Sequence, residues 1–192
     1  MQVGLLLIHV VIGALLAGHG AQKLFGVFGG YGLEGTGGYL EGFGLRPGKP
    51  FAAAAGTAEL AGGLLLAAGL FTPLAAALIA ATMLVAARTD HAGKGLWIFN
   101  GGAEYVLTVS AVVLGLAFNG AGAWSLDAAI GWHVAGLSWG LAALGVALGG
   151  GMFAILLTKW ATVVESRARH DLERRRSGSH PRYPHREPDS SP

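Results

Sequence analysis

Glu59 lies nine residues into an apolar stretch that begins at Phe51, about 12 Å along a helix and close to the middle of a bilayer. A charge at that depth costs at least about 2.5–3.5 kcal/mol, so the side chain is expected to turn away from lipid and meet other polar groups. His19 and Lys23 stand four residues apart, which puts both on one face of a helix, with Gln22 beside them. Glu104 opens a later apolar block, and Arg88, Asp90 and His91 close another. Gathered at one end of a bundle, His19, Lys23, Glu59 and Glu104, with His91 nearby, would line a polar pocket able to bind a quinone-like headgroup or to relay protons. The same groups would also serve as a buried ion-pair network that fixes helix packing. His9 lies ten residues before His19 and points elsewhere, which reads as a core histidine.

The elements that must position these residues are hydrophobic helices. Of 192 residues, 53% are hydrophobic and 12% charged, too apolar for an ordinary soluble domain. The apolar residues form blocks of roughly 20, the length that crosses a ~30 Å hydrocarbon core as helix. The predicted spans are Val3–Lys23, Phe51–Leu70, Pro73–Arg88, Gly102–Phe118 and Leu137–Leu157. They lack the polar stripe of a soluble amphipathic helix and the alternation of a barrel strand. No Lys or Arg precedes Lys23, so the first block lacks the basic start of a cleaved signal peptide and is expected to be retained.

Five crossings bring all 13 basic residues to one side, in the loops after the first and third spans and in the tail from Lys159 onward. The positive-inside rule makes that side cytoplasmic and puts the N-terminus outside. Trp124, Trp132 and Trp139 then ring one interface, and Trp97 and Trp160 the other. The Phe71–Thr72 turn forces the second and third spans into a hairpin, with Thr72 expected as N-cap and Pro73 in the first turn. Beyond the last span, Ala161–Arg176 carries i,i+4 pairs such as Glu165–Arg169 and Asp171–Arg175 that would prolong the helix. Arg174–Arg176 suit anionic headgroups, and Ser177–Pro192 reads as disordered.

The remaining motifs say less. Gly30, Gly32 and Gly35 match G-x-G-x-x-G, but no strand precedes them, so Phe25–Pro50 is expected to form a compact loop or re-entrant piece instead. Gly136/Gly140 and Gly145/Gly149 have the spacing that lets another helix approach, either within the bundle or from a second copy. With no cysteine, disulfides, thiolate metal sites, cysteine-held iron–sulfur clusters and covalent c-type haem are excluded from this sequence. A net charge of +2 gives no electrostatic footprint for nucleic acid.

The run Gly18-His19-Gly20-Ala21-Gln22-Lys23-Leu24-Phe25-Gly26, with Gly13 before it, resembles the first-helix signature of the DoxX family of small bacterial membrane proteins. Glu59-Leu60-Ala61-Gly62-Gly63-Leu64-Leu65-Leu66, Gly69-Leu70-Phe71-Thr72, Gly101-Gly102-Ala103-Glu104-Tyr105, and Gly120-Ala121-Gly122 leading to Ser125-Leu126-Asp127 follow in the same order. The resemblance covers about Val3–Asp127. It implies a four-helix bundle in the bacterial cytoplasmic membrane. Relatives of this type are associated with thiosulfate:quinone oxidoreduction, with a membrane oxidoreductase complex linked to oxidative stress, and with assembly of other membrane proteins. Many relatives carry Arg where this chain has His9, and the region from Ala128 lies outside the resemblance.

Together these readings predict an all-α membrane protein: a DoxX-like four-helix transmembrane bundle over residues 1–127, a fifth transmembrane helix with a cytoplasmic extension over 128–176, and a disordered tail over 177–192. The expected role is a redox-associated subunit, or else a non-catalytic structural or assembly subunit of a larger membrane complex. In the first role Lys23 and His19 would bind a quinone carbonyl, while Glu59 and Glu104 would tune or move protons. No covalently bound cofactor is expected. Quinone is the candidate ligand, and electrons would come from a partner carrying a flavin, haem or iron–sulfur centre.

Overall fold

Helix α1 (Gln2–Phe25) and helix α3 (Gly48–Ala68) pack backbone against backbone in the computed structural model, which describes residues 2–178. Gly13, Gly20 and Gly63 make this possible. A Cβ at Gly13 would overlap the backbone of Ala67, one at Gly20 that of Leu60, and one at Gly63 that of Ala17. Lipid tails supply no hydrophobic force between two apolar helices, so close van der Waals approach through small residues is what joins them. The pairing is antiparallel, because Gly13 faces Ala67 while Gly20 faces Leu60.

Between them lies α2 (Gly32–Gly42), a short helix inside the segment expected to be a compact loop or re-entrant piece. Its Gly37 sits against Gly48 and Lys49, Glu41 accepts the Gly48 N–H at 2.8 Å, and Glu34 pairs with Lys49. The fingerprint-like glycines fall in this turn and helix, and the described residues contain no strand.

Gly69, left-handed at φ 59°, ends α3, and α4 (Thr72–Thr89) returns beside it. Thr72 does not cap α4. Its hydroxyl donates to Asp127, whose carboxylate also accepts the N–H groups of Phe71 (2.9 Å) and Thr72 (3.3 Å). The cap therefore comes from a distant segment, and Thr72 is the first residue of the helix instead.

After a 3-10 turn at Ile98–Asn100, α5 (Glu104–Asn119) threads the bundle again, followed by a single turn, α6 (Leu126–Ala129), and by α7 (Leu137–Gly178). Among the described residues, four helical stretches are long and apolar enough to cross a membrane: Gln2–Phe25, Gly48–Ala68, Thr72–Thr89 and Leu137–Thr158. At 16 residues, α5 is about 24 Å long, yet it runs between the same two ends. Its Tyr105 meets His19, and its Phe118 presses on Gly140 of α7. Five passes thus separate a Gln2 end, holding the α3–α4 turn and the 120–136 loop, from a Lys23 end, holding α2 and the 90–103 loop.

Helix α7 is part of the bundle rather than an appendage. Gly140 packs against Phe118 of α5, and Gly151 against Ala81 and Leu84 of α4, while Gly145 and Gly149 have no neighbour within 4 Å. Of the two glycine spacings, the first therefore serves internal packing and the second faces outward. The buried core joins Leu16, Leu66, Ile79, Val113, Ala143 and Ala147 from α1, α3, α4, α5 and α7. Helix α7 continues through Arg176 as expected and on to Gly178, so Ser177 and Gly178 are helical where the disordered tail was expected to begin; the side chains of the Glu165–Arg169 and Asp171–Arg175 pairs, those of Arg175 and Arg176, and residues 179–192 of the tail lie outside the described residues.

Candidate functional site

Three residues beyond the Gly20 contact, Lys23 donates a hydrogen bond to Glu59 Oε2. The pair is unequal. The Glu59 side chain is 6% exposed and that of Lys23 30%, so the carboxylate is buried and the ammonium reaches toward the Lys23 end. One turn back on α1, His19 lies 3.0 Å from the Gln22 side-chain oxygen, and the Gln22 amide nitrogen donates to the Phe28 carbonyl at 3.0 Å. Tyr105 of α5 approaches His19 edge-on, with ring centroids 6.2 Å apart.

His19, Lys23, Glu59 and Tyr105 share the wall of a cavity of about 440 Å³ at the Lys23 end, within the usual size range of small-molecule sites. Apolar residues such as Leu16, Ala55, Ala58 and Met83 make up most of the lining. His91 and Asp90 enter from the end of α4, and α2 covers one side through Thr36, Tyr39 and Phe43. The Tyr39 hydroxyl of α2 lies near the Asp90 carboxylate at the end of α4, and Lys94 pairs with Asp90 at 3.2 Å. Burial, then the Asp90 hydrogen bond and charge, push the Tyr39 hydroxyl up to about 12. Burial acts upward on Asp90, but Tyr39, Lys94 and His91 outweigh it and leave that carboxyl below its ordinary value.

Of the four residues predicted from sequence, the fold unites His19, Lys23 and Glu59 on one cavity. Glu104 is not in that group. It starts α5, and its carboxylate turns outward to accept the Ile98 N–H at 3.0 Å while its own N–H donates to Leu96. The helical rotation of about 100° per residue carries the next side chain, Tyr105, to the cavity instead. The signal for Tyr105 was only its place beside Glu104. Tyr39 had none, because its role depends on a contact between α2 and α4.

His9 is 2% exposed and its Nδ1 donates to the Leu66 carbonyl at 2.8 Å, bridging α1 and α3 away from the cavity. It is a core histidine, as expected. Its Nε2 has no hydrogen-bond partner among the described residues.

Apolar helices of spanning length around a mostly apolar cavity with an ion pair on its wall define a helical-bundle integral membrane protein. The DoxX family model matches residues 4–92, from α1 through α4. Gly101–Tyr105 and Gly120–Asp127 lie beyond the matched residues. An uncharacterized protein of Haemophilus influenzae is 43% identical over 84 residues, covering 42% of this chain and 62% of that protein. The chain thus spans under two thirds of the length of the curated relative it matches. No solved structure matches it.

Proposed function

We propose that this chain is a redox-associated subunit of the bacterial cytoplasmic membrane whose cavity accepts the headgroup of a lipid-soluble redox ring of the quinone type. The observation that carries this reading is the buried Lys23–Glu59 pair on the wall of a mostly apolar cavity of about 440 Å³. An apolar ring fills such a wall, and a few polar groups orient it. Lys23 and His19 face the ring's oxygens, and Glu59 holds the ammonium and balances charge as protons move. Electrons come from a partner subunit. Lys23, Arg46, Lys49, Arg88 and Lys94 all belong to the Lys23 end, which supports reading that end as cytoplasmic and the N-terminus as external.

Quinone-dependent electron transfer in membranes carrying the Lys23→Met/Glu59→Leu double variant tests the reading. A fall of tenfold or more supports it, and wild-type rates with normal protein levels reject it.

A second reading, an assembly subunit with no chemistry of its own, draws on α7, which continues 20 residues past its apolar span at Thr158. It predicts that a larger complex fails to co-purify when the chain is cut after Thr158, and that Glu59 is dispensable. Cutting there leaves the packed part of α7 in place.

A further inference from the structure

Helix α5 is short for a pass through the bundle. Its 16 residues cover about 24 Å, about 6 Å less than a ~30 Å hydrocarbon core. The loop that enters it at the Lys23 end has an apolar tip, Leu96-Trp97-Ile98-Phe99, and all four side chains face outward. Trp97 is 62% exposed and Phe99 97%, so neither packs against the bundle.

The loop is nevertheless tightly built. Every carbonyl from Gly95 to Ile98 accepts a backbone N–H: Gly95 from Ala103 (3.1 Å), Leu96 from Glu104 (2.7 Å), Trp97 from Asn100 and Gly102, and Ile98 from Gly101 (2.8 Å). The Glu104 carboxylate takes the Ile98 N–H at 3.0 Å. Gly95 and Gly101 turn the chain at φ 79° and 73°, and a Cβ at Gly102 would overlap the Leu96 carbonyl, so the two arms of the loop touch. The backbone N–H groups of Trp97 and Phe99 have no partner among the described residues. The tip thus offers apolar side chains and spare donors, with its carbonyls already spent.

We infer that Leu96–Phe99 is a lipid-binding wedge, inserted at the boundary between headgroups and acyl chains, which supplies the apolar length that α5 lacks. Non-helical backbone survives at such a depth when its polar groups are satisfied within the protein, and this loop spends its carbonyls on itself. The donors left over, two backbone N–H groups and the Trp97 indole, meet phosphate and ester oxygens, which only accept. Tryptophan at this level keeps its ring in the apolar zone and its N–H among the headgroups. The polar shoulder of the loop, Asp90 to Lys94, stays in water. Glu104 therefore works for the wedge, since without its carboxylate the Ile98 N–H would enter lipid unpaired.

The chain contains no cysteine, so Phe99→Cys and, on the exposed polar shoulder, Ala92→Cys each carry a single nitroxide label without other changes. Leu96→Cys repeats the measurement with Phe99 in place. The full chain is placed in phosphatidylcholine–phosphatidylglycerol vesicles. Electron paramagnetic resonance then compares access of oxygen, which concentrates among acyl chains, with access of a water-soluble nickel chelate. The expected oxygen-to-nickel ratio at positions 99 and 96 is several-fold higher than at 92. Equal ratios at the three positions overturn the inference. Exclusion of both probes from 96 and 99 also overturns it, because a protein rather than lipid would then cover the tip. Glu104→Ala should raise nickel access at 99 several-fold, and Glu104→Gln, which keeps an acceptor, should not. No change in Glu104→Ala would remove the carboxylate from the wedge.

Discussion

The α-carbon of Gly20 lies so close to Leu60 that any side chain there would collide with the Leu60 backbone, and this contact holds α1 at the height where Lys23 meets Glu59. Gly18, two residues earlier, has nothing within 4 Å. Gly20→Val should therefore separate the two helices and cost about 3 kcal/mol or more, while Gly18→Val should stay within about 0.5 kcal/mol of wild type. Thermal unfolding in detergent compares them; equal losses would show that the helix contact is not where this fold is tight.

The unequal exposure of the ion pair predicts an unequal mutational response. Lys23→Met strands a carboxylate that is 6% exposed and should cost about 3 kcal/mol or more. Glu59→Leu leaves a lysine that is 30% exposed and able to reach the interface, so it should cost clearly less. The double variant should recover part of the Lys23→Met loss. Unfolding curves of the three proteins decide, and a worse result for Glu59→Leu than for Lys23→Met would reverse the assignment of which partner is trapped.

Asp127 joins the 120–136 loop to the start of α4 through three acceptor contacts, with its side chain buried. Asp127→Ala should cost about 1–3 kcal/mol and loosen the Phe71–Thr72 turn, because two backbone N–H groups lose their acceptor. Amide hydrogen exchange should speed up at Phe71 and Thr72 well before it does in α3. Unchanged exchange there would mean that water replaces the carboxylate at no cost.

The latch between α2 and α4 carries its own pH signature. The Tyr39 hydroxyl rises from its ordinary 10.0 to about 12, so the folded protein holds this proton more tightly than the unfolded chain. Its stabilising share is complete below pH 10 and fades as pH rises through about 12. Asp90 behaves in the opposite sense: its lowered carboxyl stabilises above the ordinary 3.8 and loses that share as pH falls through the folded value. The tyrosinate absorbance difference between wild type and Tyr39→Phe should titrate near 12. A midpoint near 10 would show that the latch is open in solution.

The helices could be read from the residues because lipid demands long apolar runs, and such runs announce themselves by composition alone. The predicted span Phe51–Leu70 and the observed Gly48–Ala68 differ by two or three residues at each end, and the extension of α7 past Leu157 followed from its charge spacing. Lys23 and Glu59 stood out for the same reason, since an ionisable residue in an apolar run needs a partner wherever the fold goes.

What the order of residues left open is set by side-chain direction and by contacts between distant segments. Glu104 and Tyr105 are neighbours in the chain, and only the rotation of α5 decides that the tyrosine faces the cavity while the acid holds the Leu96–Ile98 turn. Asp127 displaces Thr72 as the cap of α4 across 55 residues, and Tyr39 finds Asp90 only because α2 folds over the end of the bundle. Hydropathy is a property of each segment alone, so sequence determined the spans and the groups that had to be buried. Which of those groups share a cavity depends on helix rotation and close approach, and these exist only once the glycine contacts have brought the helices together.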